Sequence, residues 1–393
     1  MTKRNPNLAA FKRGYLFPEI NARKQKYLTA NPGVSLISLG VGDTTEPVPP
    51  HIANALTQGA ARLGTIQGYT GYGAEQGLTA LREKIAAKIY SRTVNPDDIF
   101  ISDGAKCDLG RLQMLFGNHV SIAVPDPTYP VYVDGSLIQG VSQIVPMPCT
   151  PENHFFPELE TLPRTDLIYF CSPSNPTGAV ATKDQLTRLV ALAKKNQSII
   201  IFDAAYSLYI HDASYPKSIY EIEGANEVAI EVNSFSKMAG FTGVRLGWTV
   251  VPESLKYDDG SPVKADWSRI SCTIFNGASN VAQWGGCGIL DDQGMLEIQS
   301  LIAFYMENTH ILKKALVTHG YEVYGGENCP YLWVRFKGKS SWDIFQQFLE
   351  QLNLVTTPGS GFGQCGEGFI RISAYGHRES ILSAAHKLAH RIR

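Results

Sequence analysis

The sequence predicts an α/β protein. A mostly parallel sheet flanked by helices forms a large domain over residues 49–289, and both chain ends, 1–48 and 290–393, build a smaller α+β domain. Three observations point there. Between 99 and 251, short apolar runs rich in β-branched and aromatic residues recur, and each stops at a polar or glycine-containing loop. The runs are continuous rather than alternating, as in strands covered on both faces. Thr182 and Gln185 form a capping-box pair ahead of Leu186, Leu189, Val190 and Ala193 at helical spacing, the pattern of a crossover helix joining parallel strands.

Taken in order, the run IFIS leads through Asp103-Gly104 into a helix whose first amides, near Ala105 and Lys106, point at an anion. SIAV ends at Asp126, and DPTYP then holds Tyr129 between two prolines, a rigid aromatic face for stacking a planar ring or for packing under a turn. LIYF precedes Asn175 in SPSNPTG, a turn signal first and a ligand contact second. SIIIF ends on Asp203, whose carboxylate is costly to bury alone; a cationic heterocycle nitrogen would match it, and so would a cap on the following turn. Tyr206, three residues on, either turns its hydroxyl to the same ligand or fills core.

The strongest local signal follows VAIEV: Ser234-Phe-Ser236-Lys237, then Gly240, Gly243 and Arg245. A lysine directly after a buried strand, amid hydroxyls and glycines, is poorly placed for a solvated charge. Its amine is suited to a Schiff base if the surroundings lower its pKa. Ser234 and Arg245 add a hydroxyl and a guanidinium fork fit for phosphate. GWTVV is the last strand of this layer. Open α/β sheets take ligands beyond their carboxyl strand ends, where these polar residues all fall.

After the layer, 291–320 reads mostly as one helix, followed by strand-like YLWVRF and FIRIS and a final helix. Arg371 alternates with apolar neighbours in FIRIS, which predicts that it faces one side of a strand; it is the residue type best matched to a carboxylate. Gly361-x-Gly363-x-x-Gly366 fits the dinucleotide fingerprint by letter, but a strand rather than a helix follows, so it is rejected. His386 and His390 are spaced like helical metal ligands without an acidic partner and are expected on the surface, with no metal.

Composition narrows the class further. Lys plus Arg number 35 against 36 Asp plus Glu, a net −1 with no basic surplus for nucleic acid or an anionic membrane. With 44% hydrophobic and 18% charged residues, disorder is excluded as the dominant state. The 7 cysteines make no CxxC pair, which argues against a disulfide framework and for a reducing compartment. The basic start has no apolar leader core, so the expected setting is cytoplasmic, with a plastid stroma left open.

Taken together, a Schiff-base lysine, a phosphate cradle, a ring-nitrogen carboxylate, a stacking aromatic and a carboxylate-binding arginine describe one cofactor, pyridoxal 5′-phosphate. Through SNPTG, DAAYS, SFSK with Arg245 eight residues later, and FIRIS, the sequence resembles the class I/II aminotransferases of fold type I over essentially its whole length. The resemblance implies that Lys237 bonds the cofactor, Asp203 faces its ring nitrogen, Asn175 and Tyr206 its phenolic oxygen, and Tyr129 its ring. It assigns Ser234, Ser236, Arg245 and the Ala105–Lys106 amides to the phosphate, with Tyr72 reaching in from a second subunit, and Arg371 to the substrate α-carboxylate.

Further strings, NPNLAAFKRGYLFPEI, LGVGDTTEP, GYGAEQG, FISDGAKCDLGR and FNGAS, resemble the LL-diaminopimelate aminotransferase branch. That likeness implies substrate roles for Tyr15, Gly42, Glu75, Lys106 and Asn276, with Tyr72, Glu75 and Asn276 donated across a homodimer and Tyr129 and Asn175 also near substrate. Other readings share the fold: an aspartate- or aromatic-type aminotransferase, a carbon–sulfur lyase, or a cyclopropane-forming synthase. A non-enzymatic regulatory domain that binds the cofactor is weaker, since it usually comes fused to a DNA-binding module.

Overall fold

The computed structural model describes residues 1–9, 11 and 16–389. The chain opens with α1 (Pro6–Ala9), α2 (Leu16–Ala30) and the short β1 (Ile37–Ser38), then α3 (Pro50–Arg62) and α4 (Thr79–Lys88). A strand-helix succession follows: β2 (Ile99–Ser102), α5 (Ala105–Phe116), β3 (Ser121–Asp126), α6 (Val131–Gln139) and β4 (Gln143–Pro148). It continues with β5 (Leu167–Cys171), α7 (Lys183–Asn196), β6 (Ile199–Asp203), β7 (Ala229–Ser234), α8 (Phe235–Met238) and β8 (Gly247–Val250).

These strands form one 7-stranded sheet, ordered β2-β8-β7-β6-β5-β3-β4. Only β8 runs against the rest, so β2, β3, β5, β6 and β7 all deliver their last residues to one edge. Every residue of β5 and β7 is buried, which explains their unbroken apolar runs. Helix α7 has the predicted capping box, with the Thr182 and Gln185 side chains each accepting the other's amide, and it buries Leu186, Leu189, Val190 and Ala193 against the sheet.

The sequence reading has no strand at β4. Pro146 and Pro148 suppress the strand signal there, and they are tolerated because β4 is the sheet's edge, paired with β3 alone.

The remaining elements are α9 (Val263–Ile270), α10 (Asn280–Ile289), the long α11 (Asp292–Thr318), β9 (Glu322–Gly325) and β10 (Tyr331–Arg335). After them come α12 (Ser341–Leu352), β11 (Leu354–Val355), β12 (Thr357–Pro358), β13 (Phe369–Ser373) and α13 (Arg378–Leu388). A 4-stranded antiparallel sheet, β12-β13-β10-β9, forms a second layer. β1 pairs in parallel with β11, Ile37 opposite Leu354, and Leu39 joins the core of this unit with Leu312, Phe348 and Ile372. The N-terminal strand is thereby stitched to a C-terminal strand. All of β13 is buried, so Arg371 is covered as completely as its apolar neighbours, rather than standing on an open face. No helix among the described residues is long and apolar enough to cross a membrane.

One buried carboxyl tests the packing beneath the sheet. Glu231 on β7 is fully buried and accepts from the Tyr90 hydroxyl at 2.7 Å, the Ser218 hydroxyl at 2.6 Å and the Ile219 amide at 3.0 Å. Burial pushes it up from 4.5 to about 7 despite these donors. The folded state therefore holds a proton that the unfolded chain releases above about pH 4.5, and stability should fall as pH rises from about 4.5 to about 7. The loss attributable to this one group is at most about 3 kcal/mol. Urea unfolding across that range should show the slope in the wild type and a flatter profile in Glu231→Gln, whose side chain does not titrate.

Candidate active site

The first piece of the site is the turn between β2 and α5. Gly104 sits at φ +120°, and a Cβ there would stand 2.6 Å from an Arg245 Nη2, so glycine alone lets the guanidinium approach the helix start. Helix α5 is anchored from below: the buried Asp108 accepts from Arg111 and from Thr249, each at 2.6 Å, while Arg111 also reaches Asp103 at 2.5 Å. The Ala105 and Lys106 end of the helix, with its exposed backbone amides, is held facing the end of β7.

The end of β7 supplies the second piece. Ser234 caps α8, its hydroxyl accepting the Ser236 amide at 3.0 Å, and Lys237 lies in that single turn. Arg245 holds a left-handed φ of +69° and donates to the Ser236 hydroxyl at 3.4 Å and the Thr242 carbonyl at 3.1 Å. The Lys237 carbonyl accepts from Tyr209, whose own hydroxyl takes a hydrogen bond from Tyr375 at 3.0 Å. Its Nζ donates to the Gly42 carbonyl. Burial pushes the Lys237 amine down to about 8; Asp43 opposes this, and Arg371, Arg245 and Lys106 reinforce it.

β6 and β13 bring the third. Asp203 is buried, accepting the Tyr132 hydroxyl at 2.7 Å and the Ala205 amide at 3.1 Å, and burial raises its carboxyl above the usual range. Arg371, 2% exposed, lies between the Tyr331 and Phe362 rings, 4.4 and 5.0 Å from their centroids. It donates to Asn175 Oδ1 at 2.7 Å and to the Gly40 carbonyl at 2.6 Å. Both acceptors are neutral, and its buried Nε has no hydrogen-bond partner. Tyr206 shares a hydrogen bond of 2.8 Å with Tyr331, and Lys106 Nζ stands 5.6 Å from the Tyr129 ring.

These groups surround one cavity of about 440 Å³, whose walls carry Lys106, Lys237, Arg245 and Arg371 against only two carboxylates, Asp43 and Asp203. The excess of cations, the orphaned Arg371 Nε and the cradle at Gly104 suit a ligand with two anionic ends. A carboxylate buried without a cation, Asp203, suits a protonated ring nitrogen between them. The residues therefore fit the cofactor that the sequence leads one to expect.

Of the residues named from the sequence, Ala105, Lys106, Tyr129, Asn175, Asp203, Tyr206, Ser234, Ser236, Lys237 and Arg245 line this cavity, as do Gly42 and Arg371, whereas Asp103 and Asp126 at two other strand ends do not. Tyr72, Glu75 and Asn276 do not. Tyr72 is 87% exposed; Glu75 and Asn276 are exposed on two adjoining loops, where the Cys272 thiol donates to Glu75 at 2.6 Å. Tyr15 and His390 lie outside the described residues. Sequence reasoning missed Asp43, Tyr132 and Tyr331. Tyr132 lies inside the largely apolar α6, where a tyrosine reads as core, and gave no signal of its own.

Comparison with known proteins gives one consistent result. The sequence profile of the family described as aminotransferase class I and II matches residues 34–388. A probable LL-diaminopimelate aminotransferase, chloroplastic, from Oryza sativa subsp. japonica is 55% identical over 98% of this chain and 85% of its own. The LL-diaminopimelate aminotransferase of Protochlamydia amoebophila is 54% identical over 99% and 98%. The solved L,L-diaminopimelate aminotransferase from Chlamydomonas reinhardtii superposes with a TM-score of 0.95 at 55% identity, covering 98% of both chains. A Thermus thermophilus aspartate aminotransferase single mutant shares the fold, with a TM-score of 0.85 at 22% identity.

The cradle makes a direct prediction. Gly104→Ala forces a side chain into a φ that L-residues rarely adopt and against Arg245. It should weaken binding of inorganic phosphate to the apoprotein by roughly tenfold or more, about 1–3 kcal/mol of strain and lost contact. Isothermal titration calorimetry measures this directly; unchanged affinity would show that the anion does not sit at the helix start.

Proposed function

The chain belongs to the class I and II aminotransferases, and from that premise we propose that it is a pyridoxal 5′-phosphate-dependent transaminase acting on LL-2,6-diaminopimelate. It would exchange the amino group between LL-diaminopimelate plus 2-oxoglutarate and tetrahydrodipicolinate plus L-glutamate. What carries the reading is the convergence of a buried amine of lowered pKa, a buried carboxylate and an unpaired guanidinium in one cavity. The substrate assignment rests on the designation shared by relatives 54 and 55% identical over nearly all of this chain.

When bound, the cofactor supplies an electrophilic carbonyl and an electron-withdrawing pyridinium ring. The rest is done by residues of this chain. Arg245, Ser234, Ser236 and the first amides of α5 would hold the phosphate, and Asp203 would hold the ring nitrogen's proton. Tyr129 would stack on the ring, with Asn175 and Tyr206 toward its phenolic oxygen. Arg371 exchanges neutral acceptors for the substrate carboxylate, a charge-assisted and bidentate contact. The Lys237 amine would be the group that takes the substrate's α-proton and returns it. Burial, which pushes the Lys237 amine down to about 8, leaves a share of it neutral and able to accept a proton near that pH.

The large domain over 49–289 carries the cofactor, and 1–48 with 290–393 form the small domain, which brings Gly42 and Arg371 to the cleft. The active unit is a homodimer. Ile66, Tyr69, Tyr72 and Ile274 are 93, 66, 87 and 53% exposed in the single chain, an apolar display that a second copy would cover. Through that interface Tyr72, Glu75 and Asn276 reach the other subunit's site, and Tyr15, Gly42 and Lys106 complete substrate recognition. The Glu75 carboxylate pairs with the distal ammonium of diaminopimelate and leaves dicarboxylates without an amine poorly matched. The setting is cytoplasmic or plastid-stromal, in keeping with the bacterial and chloroplastic relatives.

Two variants test this. Lys237→Ala should lose transamination by about a thousandfold or more and lose covalent capture of the cofactor on borohydride reduction, read by mass spectrometry. Full turnover in the variant would overturn the cofactor assignment. Glu75→Gln should cut kcat/KM for LL-diaminopimelate by about 2–5 kcal/mol of lost pairing and affect the 2-oxoglutarate half-reaction far less. Stopped-flow measurement of each half-reaction decides: equal losses make Glu75 architectural, and no loss in either removes it from substrate recognition.

A further inference from the structure

Asp203 is not held by backbone alone. Tyr132, in the first turn of α6, is 1% exposed and directs its hydroxyl to Asp203 Oδ2 at 2.7 Å, while Oδ1 takes the Ala205 amide at 3.1 Å. The Tyr132 ring is itself fixed. It stacks on Tyr169 with centroids 5.2 Å apart at 18°, and meets Tyr129 edge-on at 5.9 Å and 88°. The titratable groups that face Asp203 are Tyr129 ahead of α6, Tyr132 on it, and Cys171 in register on β5; β7 presents only Val232. None is a cation. Burial favours the neutral carboxyl, and the Tyr132 hydrogen bond is the largest influence against it. Burial and the Asp203 charge hold the Tyr132 hydroxyl far above its ordinary range, so it stays a donor.

We propose that Tyr132 is a positioning residue for the reaction, its hydroxyl aiming Asp203 and keeping that carboxylate anionic so that the ring nitrogen opposite retains its proton. This rests on the cofactor reading above. Without the hydroxyl, Asp203 keeps one backbone donor in a site that penalises charge. The shared proton then passes from ring nitrogen to carboxyl oxygen, leaving a neutral acid hydrogen-bonded to a neutral ring. The ring of Tyr132 packs and its hydroxyl tunes, and substitution by phenylalanine separates the two.

The test compares Tyr132→Phe, Asp203→Asn and Tyr169→Phe, the last removing an equally buried hydroxyl from the stacked neighbour. In the apoprotein, the infrared band of the protonated Asp203 carboxyl, identified by its loss in Asp203→Asn, should titrate about one pH unit or more higher in Tyr132→Phe than in wild type. Tyr169→Phe should leave it in place. In protein loaded with ring-15N pyridoxal phosphate, the nitrogen resonance should be that of a protonated ring in wild type and Tyr169→Phe, and move toward the neutral position in Tyr132→Phe. Turnover should then fall about tenfold in kcat with KM little changed. An unmoved carboxyl midpoint together with a protonated ring in Tyr132→Phe would overturn the proposal. Should that variant not fold, 3-fluorotyrosine at 132 keeps the ring and strengthens the donor, and the midpoint must move down. A wild type that takes up no pyridoxal phosphate would sink the cofactor reading, while the apoprotein titration still decides the role of Tyr132.

Discussion

Charge buried without its opposite is the constraint around which this protein is arranged. Four cations and two carboxylates share the walls of one cavity, and the most deeply placed of them, Lys237, Asp203 and Arg371, bond only to neutral groups among the described residues. Each would shed part of its penalty by finding an ionic partner or by changing protonation. The Lys237 amine and the Asp203 carboxyl are both displaced toward their neutral forms, and burial is the leading cause in each. Arg371 has no such escape, because a guanidinium does not deprotonate. It is kept by aromatic faces on two sides and by carbonyl oxygens, a placement that holds the fork open for a carboxylate.

Such a site needs walls that do not relax around the charges, and two devices supply them. The mostly parallel sheet sends six of its strands to one edge, all but β8. The segment 39–46 is fastened across that edge from the other sheet: Leu39 exchanges backbone hydrogen bonds with Val355 and Ser373 at 2.7 Å, and the amides of Thr45 and Glu46 both donate to Tyr305 at 2.8 Å. Gly40 and Gly42 then present their carbonyls to Arg371 and Lys237. Pinning at both ends makes a short loop a fixed part of the pocket. The hydroxyl contacts of Tyr206 with Tyr331 and of Tyr209 with Tyr375 extend the same support beneath the lysine.

The strands of the central layer and the edge at which they end were legible because central parallel strands must be apolar throughout, so the first polar residue after each run marks where the sheet ends; their order across the sheet was not. Asp203, Ser234 and Lys237 stand out for that reason alone. β4 did not, since an edge strand pays little for two prolines. Arg371 was legible by type and strand but not by burial, because alternation along FIRIS cannot show that the second face is also covered. Tyr132 went unread because a tyrosine in an apolar helix is usually core, and only the 2.7 Å contact with Asp203 gives its hydroxyl a task.

A division of labour within the chain explains why reaction type is easier to infer than substrate. The cavity-lining groups Asp203, Ser234 and Lys237 sit at or just past the ends of buried strands, where a change of side chain disturbs the sheet itself. The residues proposed to reach the other subunit's site, Tyr72, Glu75 and Asn276, sit on exposed loops that touch each other rather than the cavity. Loops of this kind change without cost to the core. The Thermus thermophilus protein at 22% identity keeps this backbone closely enough for a TM-score of 0.85. In the proposed reading, substrate length would depend on two peripheral loops and the proton chemistry on the buried edge of the sheet.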